Sequence, residues 1–247
     1  MARNRKMMQE KDQLRRSPRH EVEAMFDSIS PHYDLLNRVL SLGTDRRWRR
    51  RAVSLIGRHV TPARILDVAT GTGDLAIAAM KLGPEKITGI DISSEMLAVG
   101  RRKVEKMGLA GSIELLRGDS LFMDFSDGTF DVAMSAFGVR NFEETVTGLR
   151  EMHRVLRPGG MVVVLEFSKP SWFPMKQIYG FYFRRILPRI GRSVSGDPGA
   201  YSYLPESVTT FPDNEAFLEL LLEAGFREVR QKQLTGGIAS IYYGFRT

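Results

Sequence analysis

The sequence is 247 residues long, 43% hydrophobic and 26% charged, the balance of an ordinary globular protein with room for one large domain and a full core. It contains no cysteine, which excludes disulfides, thiolate metal sites and cysteine nucleophiles together. Lysine and arginine number 36 against 29 acids, and the resulting charge of +7 is compatible with nucleic acid, anionic lipid or a small anion without selecting among them.

No apolar run approaches the roughly eighteen residues that span a bilayer, and Met1–Arg19 is basic without the apolar stretch of a secretory signal. A cytoplasmic protein is therefore expected. Residues 1 to 20 read as frayed or loosely helical, dense in Lys and Arg, with Met7, Met8 and Leu14 as their apolar contacts. From Glu21 to Gly57 the pattern is helical, interrupted at Ser30-Pro31 and near Gly43. Within it, Asp45-Arg46-Arg47-Trp48-Arg49-Arg50-Arg51 has the charge to bind phosphate, but arginines in succession on a helix are expected to form a solvated face.

Short β-rich runs then alternate with amphipathic helices. Strands are expected at Arg64–Ala69, Lys86–Ile90, Ile113–Gly118, Phe130–Ala136 and Met161–Phe167, and helices at Asp74–Leu82, Ser94–Lys106 and Glu143–Leu156. His153 lies on the last of these as a surface or packing residue. The rhythm predicts an α/β fold with a doubly wound, mainly parallel sheet. It stops at Lys169; residues 170–205, rich in aromatics, Pro and Gly, read as an insertion with one or two helices. A helix at Asp213–Ala224 follows, and Phe226–Gln233 and Ile238–Arg246 meet at Gly236-Gly237 as a hairpin that puts an antiparallel strand on the sheet. The chain thus divides into an N-terminal basic helical cover (1–57), a ligand-binding core (58–168), a lid or insertion (169–212) and a C-terminal helix with hairpin (213–247).

The run Ile65-Leu66-Asp67-Val68-Ala69-Thr70-Gly71-Thr72-Gly73-Asp74 ends a strand and opens a helix, where glycines let backbone approach a ligand and free N–H groups face it. Asp91 closes the next strand, where a carboxylate can take both hydroxyls of a ribose. Gly118-Asp119 closes the third, and Ser135 lies near the end of the fourth. Gly71-Thr72-Gly73-Asp74-Leu75-Ala76 also fits the dinucleotide pattern, but Asp67 and Asp74 would repel a pyrophosphate and attract a sulfonium carrying an α-amino group. Asp119 suits an adenine amino group. The bland alternatives are a strand-end cap for Asp91 and a turn former for Thr70.

This run resembles the core of the class I S-adenosylmethionine-dependent methyltransferases, which implies a seven-stranded Rossmann-like sheet. Four further segments resemble the menaquinone and ubiquinone C-methyltransferase family: Tyr33-Asp34-Leu35-Leu36-Asn37-Arg38-Val39-Leu40-Ser41 with Trp48, Gly138-Val139-Arg140-Asn141-Phe142, Arg154-Val155-Leu156-Arg157-Pro158-Gly159-Gly160 through Glu166-Phe167-Ser168, and Tyr201-Ser202-Tyr203-Leu204-Pro205-Glu206-Ser207. Leu35 stands where that family usually has Met, Asp45 where it often has His, and Ala69 where the wider class has its first glycine. The resemblance implies S-adenosylmethionine as methyl donor, no metal, and donor contacts from Thr70, Asp91, Asp119, Ser120 and Ser135, to which the residues themselves add Asp67, Gly71 and Gly73. It implies a reduced prenylated quinone precursor as acceptor.

A quinol carbon attacks best once a ring hydroxyl has lost its proton, so a base or an oxyanion-stabilising group should face the acceptor. Arg140, Asn141 and Tyr201 are the candidates, with Tyr203, Tyr33 and Asp34 beside them. Arg140 stays protonated and would act by stabilising phenolate or orienting water. The alternatives are that Arg140 and Asn141 cap the helix at Glu143 and that Tyr33 and Tyr201 only pack. Four scattered histidines give no metal spacing. A nucleic-acid partner is not expected, since no Asn/Asp-Pro-Pro-aromatic run follows the fourth strand and C5-pyrimidine chemistry needs a cysteine. A non-enzymatic binding module and a nicotinamide oxidoreductase are the other readings, separable by titration with each cofactor. Trp172 through Arg192, aromatic and basic without an acid, is expected to touch an anionic membrane surface or to form a lid, making the protein peripheral at the inner face. Homodimerisation is compatible with the sequence.

Overall fold

A computed structural model describes residues 18–30, 33–41, 43–170, 172–181 and 207–247. Three helices open the chain: α1 (Pro18–Ile29), α2 (Tyr33–Leu40) and α3 (Asp45–His59). The core follows as β1 (Arg64–Val68), α4 (Asp74–Ala79) with a 3-10 turn at Met80–Leu82, β2 (Lys86–Asp91), α5 (Ser94–Lys106), β3 (Ile113–Arg117), β4 (Phe130–Ala136), a 3-10 turn at Val139–Asn141, α6 (Thr145–Val155) and β5 (Leu156–Phe167). After α7 (Met175–Phe181) come α8 (Glu215–Glu223), β6 (Arg227–Leu234) and β7 (Ala239–Phe245).

The seven strands form one sheet in the order β3-β2-β1-β4-β5-β7-β6. Pairings from β3 through β5 are parallel, and β7 runs antiparallel to both β5 and β6. The antiparallel last strand was expected from the glycine pair, and the turn sits where it was placed, at Thr235–Gly237.

The strand sequences explain why helices cover both faces. On β5, Met161, Val163 and Leu165 enter one apolar cluster with Trp48, Ile56, Leu75 and Leu97, while Val162 and Val164 enter another with Leu149, Met152, Phe217 and Leu221. Strands apolar on both sides need a layer on each, the usual condition of a parallel sheet. Helices α3, α4 and α5 supply one layer, α6 and α8 the other.

Three expectations need correction. The helical stretch expected from Glu143 begins at Thr145, and β5 starts at Leu156, five residues early, because Phe130 pairs with Leu156 before a register shift resumes the ladder at Val132–Met161. The arginine-rich helix is not simply a solvated face. Arg46, Arg47, Arg50 and Arg51 are exposed, but Trp48 and Arg49 are buried with Asp45 on the inner side. Trp48 packs against Phe137 and Phe167 and donates from Nε1 to Thr235 Oγ1 at 2.8 Å, fixing α3 to the hairpin.

Candidate active site

The strand order reverses between β1 and β4, so the crevice beyond their carboxyl ends is where a ligand can enter the sheet. Ala69 and Phe137, the first residues past β1 and β4, both take left-handed backbone conformations, with φ of 54° and 61°. Non-glycine residues there carry strain of about 1–3 kcal/mol each, which clusters at functional sites. Ala69 thus explains why glycine is the usual residue at its place. Gly138 is required for a different reason, since a Cβ there would lie 2.5 Å from the Ala69 Cβ and 2.9 Å from Ser135 Oγ.

Asp67 is buried beneath the glycine loop. Its Oδ2 accepts from the Thr70 hydroxyl (2.7 Å) and the Ala76 N–H (3.0 Å), while Oδ1 is buried without a partner. Burial raises its pKa to about 7, against the two hydrogen bonds that lower it. Asp91 bridges the loop to α5, its Oδ2 accepting from Gly71 N–H (2.8 Å) and Oδ1 from Ser93 N–H (2.9 Å). Burial lifts Asp91 to about 6, again opposed by backbone N–H groups. Gly71 and Gly73 both have positive φ, the shape that turns loop N–H groups toward these carboxylates and into α4.

A cleft of about 560 Å³, counting its open mouth, lies above this frame, and Asp91, Gly71, Ser120 and Asn141 line it. Its apolar walls come from Val22 and Phe26 of α1, Ile90, Ile92, Met96 and Phe142. The size and the mixture, mostly apolar with a few convergent polar groups, suit a nucleoside-sized ligand. A second, polar recess of about 290 Å³ holds Asp67, Thr70, Thr72, Asp74 and Arg49, and Tyr33 lines both.

Of the residues named from sequence, Asp67, Thr70, Gly71, Asp91, Ser120 and Asn141 thus line these two spaces. Gly73 starts α4 just behind them. Ser135 is fully buried at the end of β4, its hydroxyl without a partner. Asp119 lies beside Ser120, with Oδ1 accepting from Leu121 N–H at 2.9 Å. Asp74 is not free to attract a cation. Although burial acts the other way, Arg49 and Lys103 hold its pKa below the usual range, and both pair with it. Arg140 and Asn141 form the 3-10 turn after β4; helix α6 has Glu144 at its N-cap, so neither caps it. The Arg140 side chain is 3% exposed and paired with Glu166. Tyr201, Tyr203 and residues 182–192 lie outside the described residues. His153 packs edge-on against Phe226.

Sequence reasoning missed the fastening of the cover. The Ser93 hydroxyl donates to Asp27 of α1 (2.5 Å), Arg117 pairs with Glu23 (2.7 Å), and Asp34 of α2 accepts from Thr72 Oγ1 (2.6 Å) and Lys103 Nζ (2.9 Å). These ties span 38 to 94 residues of sequence. The Ser before helix α5 was a visible capping signal, and its Oγ does accept from Met96 N–H. Its second partner had none. Among the described residues no group of three or more His, Asp or Glu could hold a metal ion.

A family profile, described as the ubiE/COQ5 methyltransferase family, matches residues 8–246. The chain belongs to that family. Among curated relatives, the demethylmenaquinone methyltransferase of Bacteroides fragilis is 47% identical over 223 residues, covering 90% of this chain and 91% of its own. The enzyme of the same name from Thermus thermophilus is 49% identical over 90% of this chain and all of its own length. The ubiquinone/menaquinone biosynthesis C-methyltransferase UbiE of Geobacter sp. (strain M21) is 49% identical over 90% of this chain and 95% of its own. Solved structures add the fold alone: a S-adenosylmethionine-dependent methyltransferase of Thermotoga maritima (TM-score 0.63, 18% identity, 91% of this chain and 99% of that one) and the [4+2]-cyclase SpnF (0.65, 20%, 92% and 96%). A ubiE/COQ5 sheet thus carries the acid and glycine frame described above.

Proposed function

We propose that this chain is a S-adenosylmethionine-dependent C-methyltransferase acting on the ring of a reduced, prenylated quinone precursor, demethylmenaquinol or the related 2-methoxy-6-polyprenyl-1,4-benzoquinol. The observation that carries the reading is the pair of buried, unpartnered oxygens at the switch point, Asp67 Oδ1 in the polar recess and Ser135 Oγ near the end of β4, together with the mostly apolar cleft that Asp91 lines. Such acceptors with no donor of their own cost stability unless a ligand supplies one, and a cationic amino-acid end with an adenosine body fits them. The donor supplies an electrophilic methyl on a sulfonium. Asp67, Thr70, Gly71, Gly73 and Ser135 would hold its amino-acid end, Asp91 its ribose, and Asp119 and Ser120 its base.

The rest of the chemistry is positioning and electrostatics. Arg140 remains charged and its Nε–H is buried without a partner, so it can stabilise a developing phenolate. Asn141 lies on the cleft wall beside it, and Tyr201 is proposed from the sequence as the third catalytic group. Tyr33 joins both recesses; burial raises its pKa and the Arg140 charge opposes that rise. Incubating the protein with labelled donor and each reduced demethyl-quinone in turn, with mass analysis of the product, tests the assignment. Unmethylated acceptor in every case would refute it.

Donor affinity should depend on pH with a definite sign. Asp67 and Asp91 titrate at about 7 and about 6, above their ordinary 3.8, and only the ionised forms attract a cation and accept two ribose hydroxyls. Affinity should therefore fall as pH drops through 7 and then 6, by up to about tenfold per unit and group. Stability of the free protein should run the other way. The folded state holds protons that the unfolded state has lost between roughly pH 4 and 7, so its stability declines as pH rises through that window. Calorimetric titration from pH 5 to 8 should show the first trend, and Asp67→Asn should flatten its upper part. A flat profile in the wild type would remove the charge argument.

We also propose that the acceptor is collected at an anionic membrane surface. No helix among the described residues is long and apolar enough to cross a membrane. Trp172 and Phe173 are 51% and 76% exposed just before α7, next to exposed Lys176. Aromatics can enter the acyl boundary while cations pair with headgroups. Changing Arg184, Arg185 and Arg189 to Gln should weaken co-sedimentation with anionic vesicles by tens to hundreds of fold, at about 1 kcal/mol per cation, and leave turnover of a short-chain soluble quinol intact. Unchanged vesicle binding would leave the segment only the role of a lid.

A further inference from the structure

Glu166, next to last on β5, has no solvent-accessible surface. Its Oε1 accepts from the Arg140 backbone N–H at 3.2 Å, and both carboxylate oxygens accept from Arg140 Nη1, at 3.3 and 3.0 Å. Oε2 also accepts from the Phe167 N–H (3.1 Å), and Nη1 donates in addition to the Phe137 carbonyl at 2.6 Å. The guanidinium lies over the Phe167 ring, 5.5 Å from its centroid. One corner of Arg140 is therefore saturated, while its Nε–H, equally buried, has nothing to donate to.

Stability alone does not require that arrangement. A buried ion pair is often matched or exceeded by apolar residues of the same volume, and an unpaired buried N–H adds a further cost. The register explains the place: Ala136 of β4 pairs with Leu165 of β5, so Glu166 comes beside the turn that carries Arg140. On that turn and its approach, Phe137, Gly138 and Asn141 line the cleft.

We propose that Glu166 is a positioning residue for methyl transfer, taking Nη1 of Arg140 so that the guanidinium is fixed with Nε–H left for the acceptor oxygen. The inference rests on the reading of Arg140 as the group that stabilises that oxygen. The carboxylate also balances the guanidinium charge and so limits how far Arg140 favours loss of the acceptor proton.

Glu166→Gln, Glu166→Asp, Arg140→Met and the double variant Glu166→Gln/Arg140→Met test it. Glu166→Gln should bind S-adenosylmethionine within threefold of wild type by calorimetry and keep its KM for the quinol, yet lose at least tenfold in kcat. Its acid limb in the kcat–pH profile should move to lower pH, because the Arg140 charge is no longer balanced, whereas Glu166→Asp keeps the wild-type limb. The double variant should be no slower than Arg140→Met alone. A kcat for Glu166→Gln within twofold of wild type overturns the inference, as do losses that multiply in the double variant or an unmoved acid limb. Wild-type kcat in Arg140→Met overturns the reading of Arg140 instead. Should Glu166→Gln melt too low to assay, the apolar pair Glu166→Leu/Arg140→Met decides. Melting near wild type with turnover lost supports a functional pair, and melting far below it makes the pair structural and ends the proposal.

Discussion

Replacing Asp91 with alanine is expected to weaken S-adenosylmethionine binding by roughly 2–4 kcal/mol, or about thirty- to a thousandfold, through loss of two charge-assisted hydrogen bonds to ribose. The carboxylate is well suited to that work. The Gly71 and Ser93 N–H groups hold one oxygen each, and the Ile92 N–H also favours the ionised form, so its orientation is set before a ligand arrives. The Ser93 that anchors Oδ1 is itself tied to Asp27 of α1, which links Asp91 to the helix that walls the cleft. Alanine also frees the Gly71 and Ser93 N–H groups, so melting should be measured alongside titration, and Asp91→Asn should bind better than Asp91→Ala by keeping one acceptor in place. Donor affinity within twofold of wild type in a folded Asp91→Ala protein would sink the assignment.

The difference between what could and could not be read in advance is a difference of range. Strand runs, the hairpin and helix α5 are encoded locally, and Ser94–Lys106 has the bounds its pattern predicts. Asp67 could be picked out because it stands in a strand four residues before the glycine loop, and Asp91 because it closes the next strand, although the Gly71 N–H it accepts from is 20 residues away. Arg49 was half legible. Asp45, Trp48, Arg49, Ala52, Val53 and Ile56 fall on one helical stripe, so the spacing alone could have turned Arg49 inward despite the charge around it. Its nearer partner, Asp45 at 2.5 Å, lies one turn away on the same helix, while its second, Asp74 at 3.4 Å, could not have been foreseen, since it opens α4 beyond β1. The same is true of Glu166 and Arg140, 26 residues apart and joined only when β4 and β5 align. A buried acid in an otherwise apolar strand, Met161-Val162-Val163-Val164-Leu165-Glu166-Phe167, was the one visible sign, and it said that a partner must exist without saying which.

Turnover should require a reduced acceptor, with at least a hundredfold difference between quinol and quinone. A ring carbon of the quinone lies between electron-withdrawing carbonyls and has no electron pair to offer. In the quinol the same carbon is conjugated to two hydroxyls, and loss of a proton from one of them raises its nucleophilicity further. The sequence has no cysteine to act as a thiol reductant of the acceptor. On the proposed mechanism the protein favours the phenolate, through Arg140 with its unpartnered Nε–H and through Asn141 on the cleft wall. The absence of cysteine also makes the experiment clean. Dithionite or borohydride cannot act by opening a disulfide or freeing a thiol, so any gain in rate on reduction belongs to the acceptor. Under argon, product formation should follow the fraction of acceptor reduced, falling to background when reductant is removed and the quinone re-formed. Equal initial rates with oxidised and reduced acceptor, with re-reduction excluded by spectroscopy, would rule out attack by an activated quinol carbon and with it the role given to Arg140.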